Sequence, residues 1–318
     1  MSIADKNTIR LGTRASALAR WQAEWVAARL RETGQNVELI FITTSGDAQQ
    51  VGSIGTIGGQ GVFTKEIQRA LLDGRVDLAV HSLKDLPTEP IDGLVLAAVP
   101  PREVVADVLI SHSGQMFAEL LAGARIGTGS ARRQSQLRHA RPELEYLDIR
   151  GNVDTRLNKL AAGEYDAIIL AAAGMTRLGF ADRITEELPR GMILPAVGQG
   201  ALGLETRADD AATIAALSPL NDVASHAAVL AERAMLATLR GGCLAPVGGW
   251  ARFEQEGVLK LDGTVLSLDG KARLLVQEQS DVDLASETLP EQAVALGEAV
   301  AMQLIQSGAE RLIAAARS

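Results

Sequence analysis

The stretch Thr64-Lys-Glu-Ile-Gln-Arg-Ala-Leu-Leu-Asp-Gly-Arg-Val-Asp-Leu-Ala-Val-His81 contains two hydrophobic periods in succession. Ile67, Ala70 and Leu71 recur at helical spacing up to Leu72, Gly74-Arg-Val-Asp77 breaks the pattern, and Leu78 to His81 reads as a short buried strand. A helix that runs directly into such a strand is half of a βαβ unit and predicts a mainly parallel sheet covered by helices. Upstream the same grammar gives a strand from Thr8 to Gly12, a helix from Ala17 to Thr33 and a strand from Val37 to Thr43. Between that strand and the next helix, Gly52-Ser-Ile-Gly-Thr-Ile-Gly-Gly-Gln-Gly61 reads as a mobile loop or lid.

Past the pair Pro100-Pro101 the pattern restarts, with strands at Val108 to Ser111, Arg125 to Gly127, Leu144 to Ile149 and Asp166 to Leu170, and helices near Met116, from Ala131 and from Val153. The last helix runs into Gly163-Glu-Tyr-Asp166 and a strand, echoing Gly74-Arg-Val-Asp77 and hinting at two similar lobes. Leu194 to Glu205 reads as an apolar strand returning the chain to the first lobe, and two crossovers make a hinged cleft. Beyond Asn221 the pattern becomes α+β: a helix from Ala224 to Leu239, antiparallel strands Val247 to Phe253, Val258 to Leu266 and Ala272 to Gln277, and a helix from Glu291 to Gln306. The fold class expected is thus α/β, with two α/β domains (1–100 with 198–220, and 101–197) and a C-terminal α+β domain (221–318) with a small antiparallel sheet.

Composition narrows the function. The chain has 318 residues, 47% of them hydrophobic but only 3% aromatic, so no platform for stacking bases stands out. Its net charge of -8 repels polyanions, which argues against a nucleic-acid partner and requires any anion site to be built locally. The longest clean apolar run, Ala167 to Met175, is far short of a membrane span. One cysteine, Cys243, excludes an internal disulfide, and His81, His112, His139 and His226 lack ligand spacing, so no metal site is expected. These features read as cytoplasmic.

The basic residues gather where strands end, the place at which parallel α/β sheets bind ligands. Thr13-Arg14-Ala-Ser16 follows the first strand, Thr128-Gly-Ser-Ala-Arg-Arg133 and Arg150-Gly-Asn-Val-Asp-Thr-Arg156 follow two more, and Gly174-Met-Thr-Arg177 follows a fourth. Cations in a first helical turn are unfavourable alone, so Arg132, Arg133 and Arg156 call for an anion that offsets them. Without a P-loop lysine motif or a Gly-x-Gly-x-x-Gly in the right context, carboxylate is the better anion. In His81-Ser-Leu-Lys-Asp-Leu-Pro87 the proline prevents a helix and leaves Ser82, Lys84 and Asp85 on a turn, with Asp85 the one acid among bases. Such a carboxylate can hold cationic or N–H-bearing intermediates. Cys243 follows a helix that ends in Gly241-Gly242, so its thiol is presented where another group can approach closely.

Arg14 with Ser16, the segment His81 to Pro87, Gly127-Thr-Gly-Ser-Ala-Arg-Arg-Gln134, Arg150 to Arg156, Leu194-Pro-Ala-Val-Gly-Gln-Gly200 and Glu232-Arg-Ala to Cys243 together resemble the porphobilinogen deaminases, in order and over nearly the whole chain. The resemblance implies two periplasmic-binding-protein-like domains, a third domain, and a dipyrromethane cofactor held by a thioether to Cys243. It implies that four porphobilinogen molecules are joined head to tail with loss of ammonia to give hydroxymethylbilane, by a monomer. Asp85 would then be catalytic, stabilising the electron-poor azafulvene formed on deamination. Lys84, Ser82, Thr128, Ser130, Arg132, Arg133 and Arg150 would hold the cofactor, and Arg14, Ser16, Arg150, Arg156, Arg177 and Gln199 the substrate. Departures are Gln60 where lysine is usual, Gly129 for a common serine, Arg102-Glu-Val-Val-Ala-Asp107 in place of an Arg-Glu-Asp-Pro-Arg-Asp pattern, and Arg240 for a frequent glutamate. Two rivals remain on residues alone: a two-lobed binding module for an organic anion, and a transferase using Cys243 as a transient nucleophile. A permanent dipyrrole adduct on Cys243 would separate the enzyme from both.

Overall fold

The computed structural model describes residues 8–43, 64–242, 245–255 and 257–317. The glycine segment 52–61 with Gln60, and Cys243, lie outside the described residues. The chain divides into two compact units, Met1–Arg102 with Ala201–His226, and Glu103–Gly200 with Ala227–Ser318.

In the first unit, strands β1 (Thr8–Thr13), β2 (Asn36–Phe41), β3 (Leu78–Ser82), β4 (Leu94–Ala98) and β10 (Leu202–Arg207) form one sheet in the order β2-β1-β3-β10-β4. Helix α1 (Ala17–Glu32) starts where Ser16 accepts the Ala19 backbone N–H, 3.4 Å away. Its buried positions Gln22, Ala23, Val26, Ala27 and Leu30 fall on one stripe, which packs with Leu11, Leu78, Val80 and Leu204. Helix α2 (Lys65–Leu72) covers the other face with Ile67, Ala70 and Leu71 against Ile42, Val76 and Ala79. With both faces covered, a strand can be a continuous apolar run, as Leu94–Ala98 is and as Leu78–Val80 is within β3.

The second unit repeats the plan. Strands β5 (Asp107–Ser111), β6 (Arg125–Gly127), β7 (Glu145–Leu147), β8 (Ala167–Ala171) and β9 (Glu186–Glu187) take the order β7-β6-β8-β5-β9. In each sheet three parallel strands meet one antiparallel strand, β10 against β3 and β5 against β8, so both are mixed. The sequence echo has a physical basis. Asp77, just before β3, accepts from Arg10 N (3.0 Å), Nε (2.9 Å) and Nη2 (2.7 Å). Asp166, just before β8, accepts from the same three groups of Arg125, at 2.7, 3.2 and 3.1 Å. Each aspartate fixes the register of a central strand on its parallel neighbour.

The expected strand from Leu194 to Glu205 is shorter than its apolar sequence suggests, because Gly198 and Gly200 adopt φ of 72° and 85° and only Leu202–Arg207 is extended. A Cβ at Gly200 would stand 2.4 Å from the Glu103 carbonyl oxygen, so the turn needs glycine on two counts. The same unit holds the three-stranded antiparallel sheet of β11 (Val247–Gln255), β12 (Val258–Leu266) and β13 (Arg273–Asp281), the last two joined through a turn with Gly270 at φ 72°. Apolar residues of helices α7 (Val223–Thr238), α8 (Leu289–Gln306) and α9 (Ala309–Ala315) share a core with it, α9 being unforeseen. Among the described residues no single helix is long and apolar enough to cross a membrane, and no three His, Cys, Asp or Glu side chains gather as they would around a metal ion.

Candidate functional site

In the first unit the end of β3 sets up the acid. Leu83 donates its N–H to the Ala201 carbonyl (3.0 Å), and the turn Leu83–Asp85 closes through Leu86 N to Leu83 O (3.1 Å). Leu83 and Leu86 are buried and Asp85 is exposed, so two anchored leucines hold the carboxylate outward. Asp85 lines a pocket of about 70 Å³ with Arg14, Ser16, Gln22, His81 and Ser82. At about 30 Å³ per water, this is room for a carboxylate-sized group. Gln22 Nε2 donates to Ser82 Oγ at 2.8 Å, which fixes the serine, and Lys84 on the same turn is half-buried. The structure therefore brings Arg14, Ser16, Ser82 and Asp85 together and adds Gln22, which the sequence did not single out.

In the second unit the centre is Asp107, the first residue of β5, also missed in sequence. Helix α3 (Ala131–Ala140) starts at Ser130, whose hydroxyl accepts the Arg133 N–H, and its first turn directs both arginines inward. Arg132 Nη1 and Nη2 lie 2.6 and 3.2 Å from the two Asp107 oxygens, Arg133 Nε lies 2.8 Å away, and Gln199 Nε2 3.1 Å. Burial alone would raise the Asp107 carboxyl, but the two guanidinium groups and Gln199 hold it well below the usual carboxylate range. Burial also lowers Arg133, with Asp107 opposing, from a value so high that the guanidinium stays charged.

The sequence argument that cations in a first helical turn call for an anion is thus corrected in part: the nearest anion is Asp107, from the protein itself. One carboxylate does not balance two buried guanidinium groups. Arg132 Nε is buried and has no hydrogen-bond partner among the described residues. This orphaned donor and the surplus positive charge fit a further carboxylate.

The remaining candidates of this unit lie beyond the ends of β6, β7 and β8. Thr128 is fully buried and its Oγ1 accepts the Ser130 N–H at 3.4 Å. Arg150 Nε reaches Asp148 Oδ2 at 2.9 Å, and Arg156 Nε donates to the Gly151 carbonyl at 2.8 Å at the start of helix α4 (Val153–Ala161), which Asn152 caps. Arg177 ends helix α5 (Ala172–Arg177) and donates to the Gly200 carbonyl at 2.7 Å; burial lowers its pKa, with Glu103 opposing. A Cβ at Gly129 would stand 2.6 Å from Asp148 Oδ1, so glycine there matches the way Asp148 sits in this chain. Glu232, fully buried on α7, accepts the N–H groups of Gly198 (2.7 Å) and Ala251 (2.8 Å). It thereby ties the helix that precedes Cys243 to the Gln199 turn and to β11.

Residues 9–215 match the family described as porphobilinogen deaminase, dipyromethane cofactor binding domain, and residues 226–306 match the porphobilinogen deaminase C-terminal domain. Proteins named porphobilinogen deaminase are similar along almost their whole length. That of Chromobacterium violaceum is 48% identical over 309 residues (96% of this chain, 97% of the relative), and that of Chlorobaculum parvum 47% over 311 (97% and 98%). That of Syntrophotalea carbinolica is 46% identical over 311 residues (97% and 96%). A periplasmic substrate-binding protein from Coxiella burnetii is a loose structural match, 18% identical with a TM-score of 0.41 over 67% of this chain and 91% of that one. The chain belongs to the porphobilinogen deaminase family.

Proposed function

We propose that this protein condenses four porphobilinogen molecules head to tail into hydroxymethylbilane, with release of ammonia, in tetrapyrrole biosynthesis, on a dipyrromethane cofactor carried by Cys243. The observation that supports this most is the buried Arg132 and Arg133 pair facing the single carboxylate of Asp107, with Arg132 Nε lacking a partner among the described residues. Such a site fits ligands that carry several carboxylates, as every pyrrole of this chemistry does.

When bound, the dipyrromethane supplies the pyrrole carbon from which the chain grows. Its carboxylates would be held by Arg132, Arg133, Arg150, Lys84 and the hydroxyls of Ser82, Thr128 and Ser130, while Arg14, Ser16, Arg150, Arg156 and Arg177 take the acetate and propionate of the substrate. Gln199, whose Nε2 donates to the Val105 carbonyl (2.7 Å) and to Asp107 (3.1 Å), serves to hold Asp107. Loss of ammonia from porphobilinogen leaves an electron-poor methylene whose pyrrole N–H carries positive charge. Asp85 stabilises that charge as a fixed carboxylate and helps move the proton. Residues 1–100 with 198–220 and residues 101–197 serve as the two α/β domains, and 221–318 as the domain that carries the cofactor. The enzyme works as a cytoplasmic monomer, a reading supported by its single cysteine, which suits a reducing compartment, and by the family resemblance.

The test is product stoichiometry. Purified protein given porphobilinogen should release four ammonium ions for each linear tetrapyrrole formed. Binding of porphobilinogen without ammonia release would instead make the chain a binding module.

A further inference from the structure

Beneath the Asp85 pocket lies a buried polar group that the reaction described above does not use. His81 on β3 and Glu205 on β10 are diagonal neighbours on the α2 face of the sheet, since His81 pairs with Gly203 and Glu205 with Ala79. Across this diagonal His81 Nε2 lies 3.0 Å from Glu205 Oε2, while the space beside Gly203 is taken by the side chains of Leu83 and Leu96. Gln68 Nε2, from α2, donates to the other oxygen of Glu205 at 3.0 Å. His81 and Glu205 are 4% and 6% exposed.

When Glu205 is ionised it can only accept, which puts a hydrogen on His81 Nε2 and, in the neutral ring, leaves the lone pair on Nδ1. Nδ1 makes no hydrogen bond to a described residue, whereas His81 lines the same pocket as Asp85, Arg14 and Ser82. A carboxylate that fixes the tautomer of a histidine so that its other nitrogen faces a site is the general arrangement of an oriented base.

We infer that His81, oriented by Glu205 and Gln68, is the proton-accepting group of this pocket, an inference that rests on the function proposed above. Each coupling of two pyrroles with loss of ammonia breaks one C–N bond and one pyrrole C–H bond, forms one C–C bond, and delivers a proton and ammonia, together one ammonium. His81 Nδ1 takes the proton from the C–H bond, whose electron pair returns to the ring, and passes it to the departing ammonia. Asp85 stabilises positive charge on the pyrrole N–H during the same step, so the two groups divide the work.

The test joins kinetics to a spectrum that does not depend on turnover. His81→Gln keeps a neutral polar side chain without a basic nitrogen; it should lower kcat by about 10²-fold or more with KM within about threefold, while intact mass shows the same cofactor content as wild type. Nitrogen-15 NMR of the histidine rings should show the Nε2–H tautomer for His81 in wild type and a mixture of tautomers in Glu205→Gln, with a lower kcat in that variant. A kcat within about twofold of wild type for His81→Gln, or an Nδ1–H tautomer in the wild-type protein, would overturn the inference. If His81→Gln fails to fold, Glu205→Gln and the wild-type spectrum still decide it. Wild-type protein that shows the expected tautomer but releases no ammonium would overturn both the role of His81 in coupling and the proposed function, whereas normal ammonium release with the wrong tautomer would overturn the role of His81 alone.

Discussion

Asp107 and Arg132 form a two-pronged ion pair whose side chains are 0% and 5% exposed, and Arg133 closes on the same carboxylate. The arrangement concentrates positive charge beside the start of β5 and keeps one anion there permanently. Removing that anion would leave two buried guanidinium groups uncompensated.

Asp107→Asn should therefore destabilise the protein by about 3–5 kcal/mol, measured by urea unfolding at neutral pH. Because the folded-state pKa of Asp107 is depressed, its stabilising contribution is complete above the pKa of an unfolded aspartate, about 3.9, and is lost as pH falls through the lower folded value. The gap between wild type and variant should be constant from pH 7 to about 5 and narrow below about 4. A gap that narrows toward higher pH would contradict this.

The two strand-leading aspartates offer an internal comparison. Asp77 and Asp166 grip their arginines in the same way, but Asp77 is 15% exposed and also holds Arg207, whereas Asp166 is 45% exposed. Solvent screens the second pair, so Asp77→Asn should cost about 2 kcal/mol and Asp166→Asn well under half of that. Equal losses in urea melts would mean that burial does not set the difference.

Asp85→Ala should lower turnover of porphobilinogen by about 10²-fold or more. Since Asp85 is exposed and its turn is anchored by Leu83 and Leu86, the unfolding free energy should change by no more than about 0.5 kcal/mol. Circular dichroism melts beside an ammonia assay read the two effects separately. Normal turnover by this variant would remove Asp85 from the mechanism.

Much of this architecture was legible in the sequence, because hydrophobic period and glycine position act locally. The helix at 65–72, the strand at 78–82 and the antiparallel run from 247 to 281 follow from such signals. The echo of Asp77 in Asp166 was readable too, and became a matched pair of strand clamps. What stayed hidden depends on partners distant in sequence. Asp107 is one acid at the head of an apolar strand, Asp107-Val-Leu-Ile-Ser111, and a lone acid in such a run is the only signal of a buried partner. Glu205 similarly closes an apolar run, and its pairing with His81 follows from the antiparallel register of β10 on β3, which nothing local dictates. Arg132 and Arg133 at a helix start call for an anion, but nothing in the sequence around them shows that the protein itself supplies the first one, Asp107.

The account turns on a permanent pyrrolic group on Cys243, and intact-mass spectrometry of the purified protein addresses that most directly. Wild type should be heavier than its sequence by one dipyrrole, before and after turnover, and Cys243→Ser should have the bare sequence mass. A wild-type mass equal to that of the sequence, or an adduct that disappears once porphobilinogen is consumed, would contradict it.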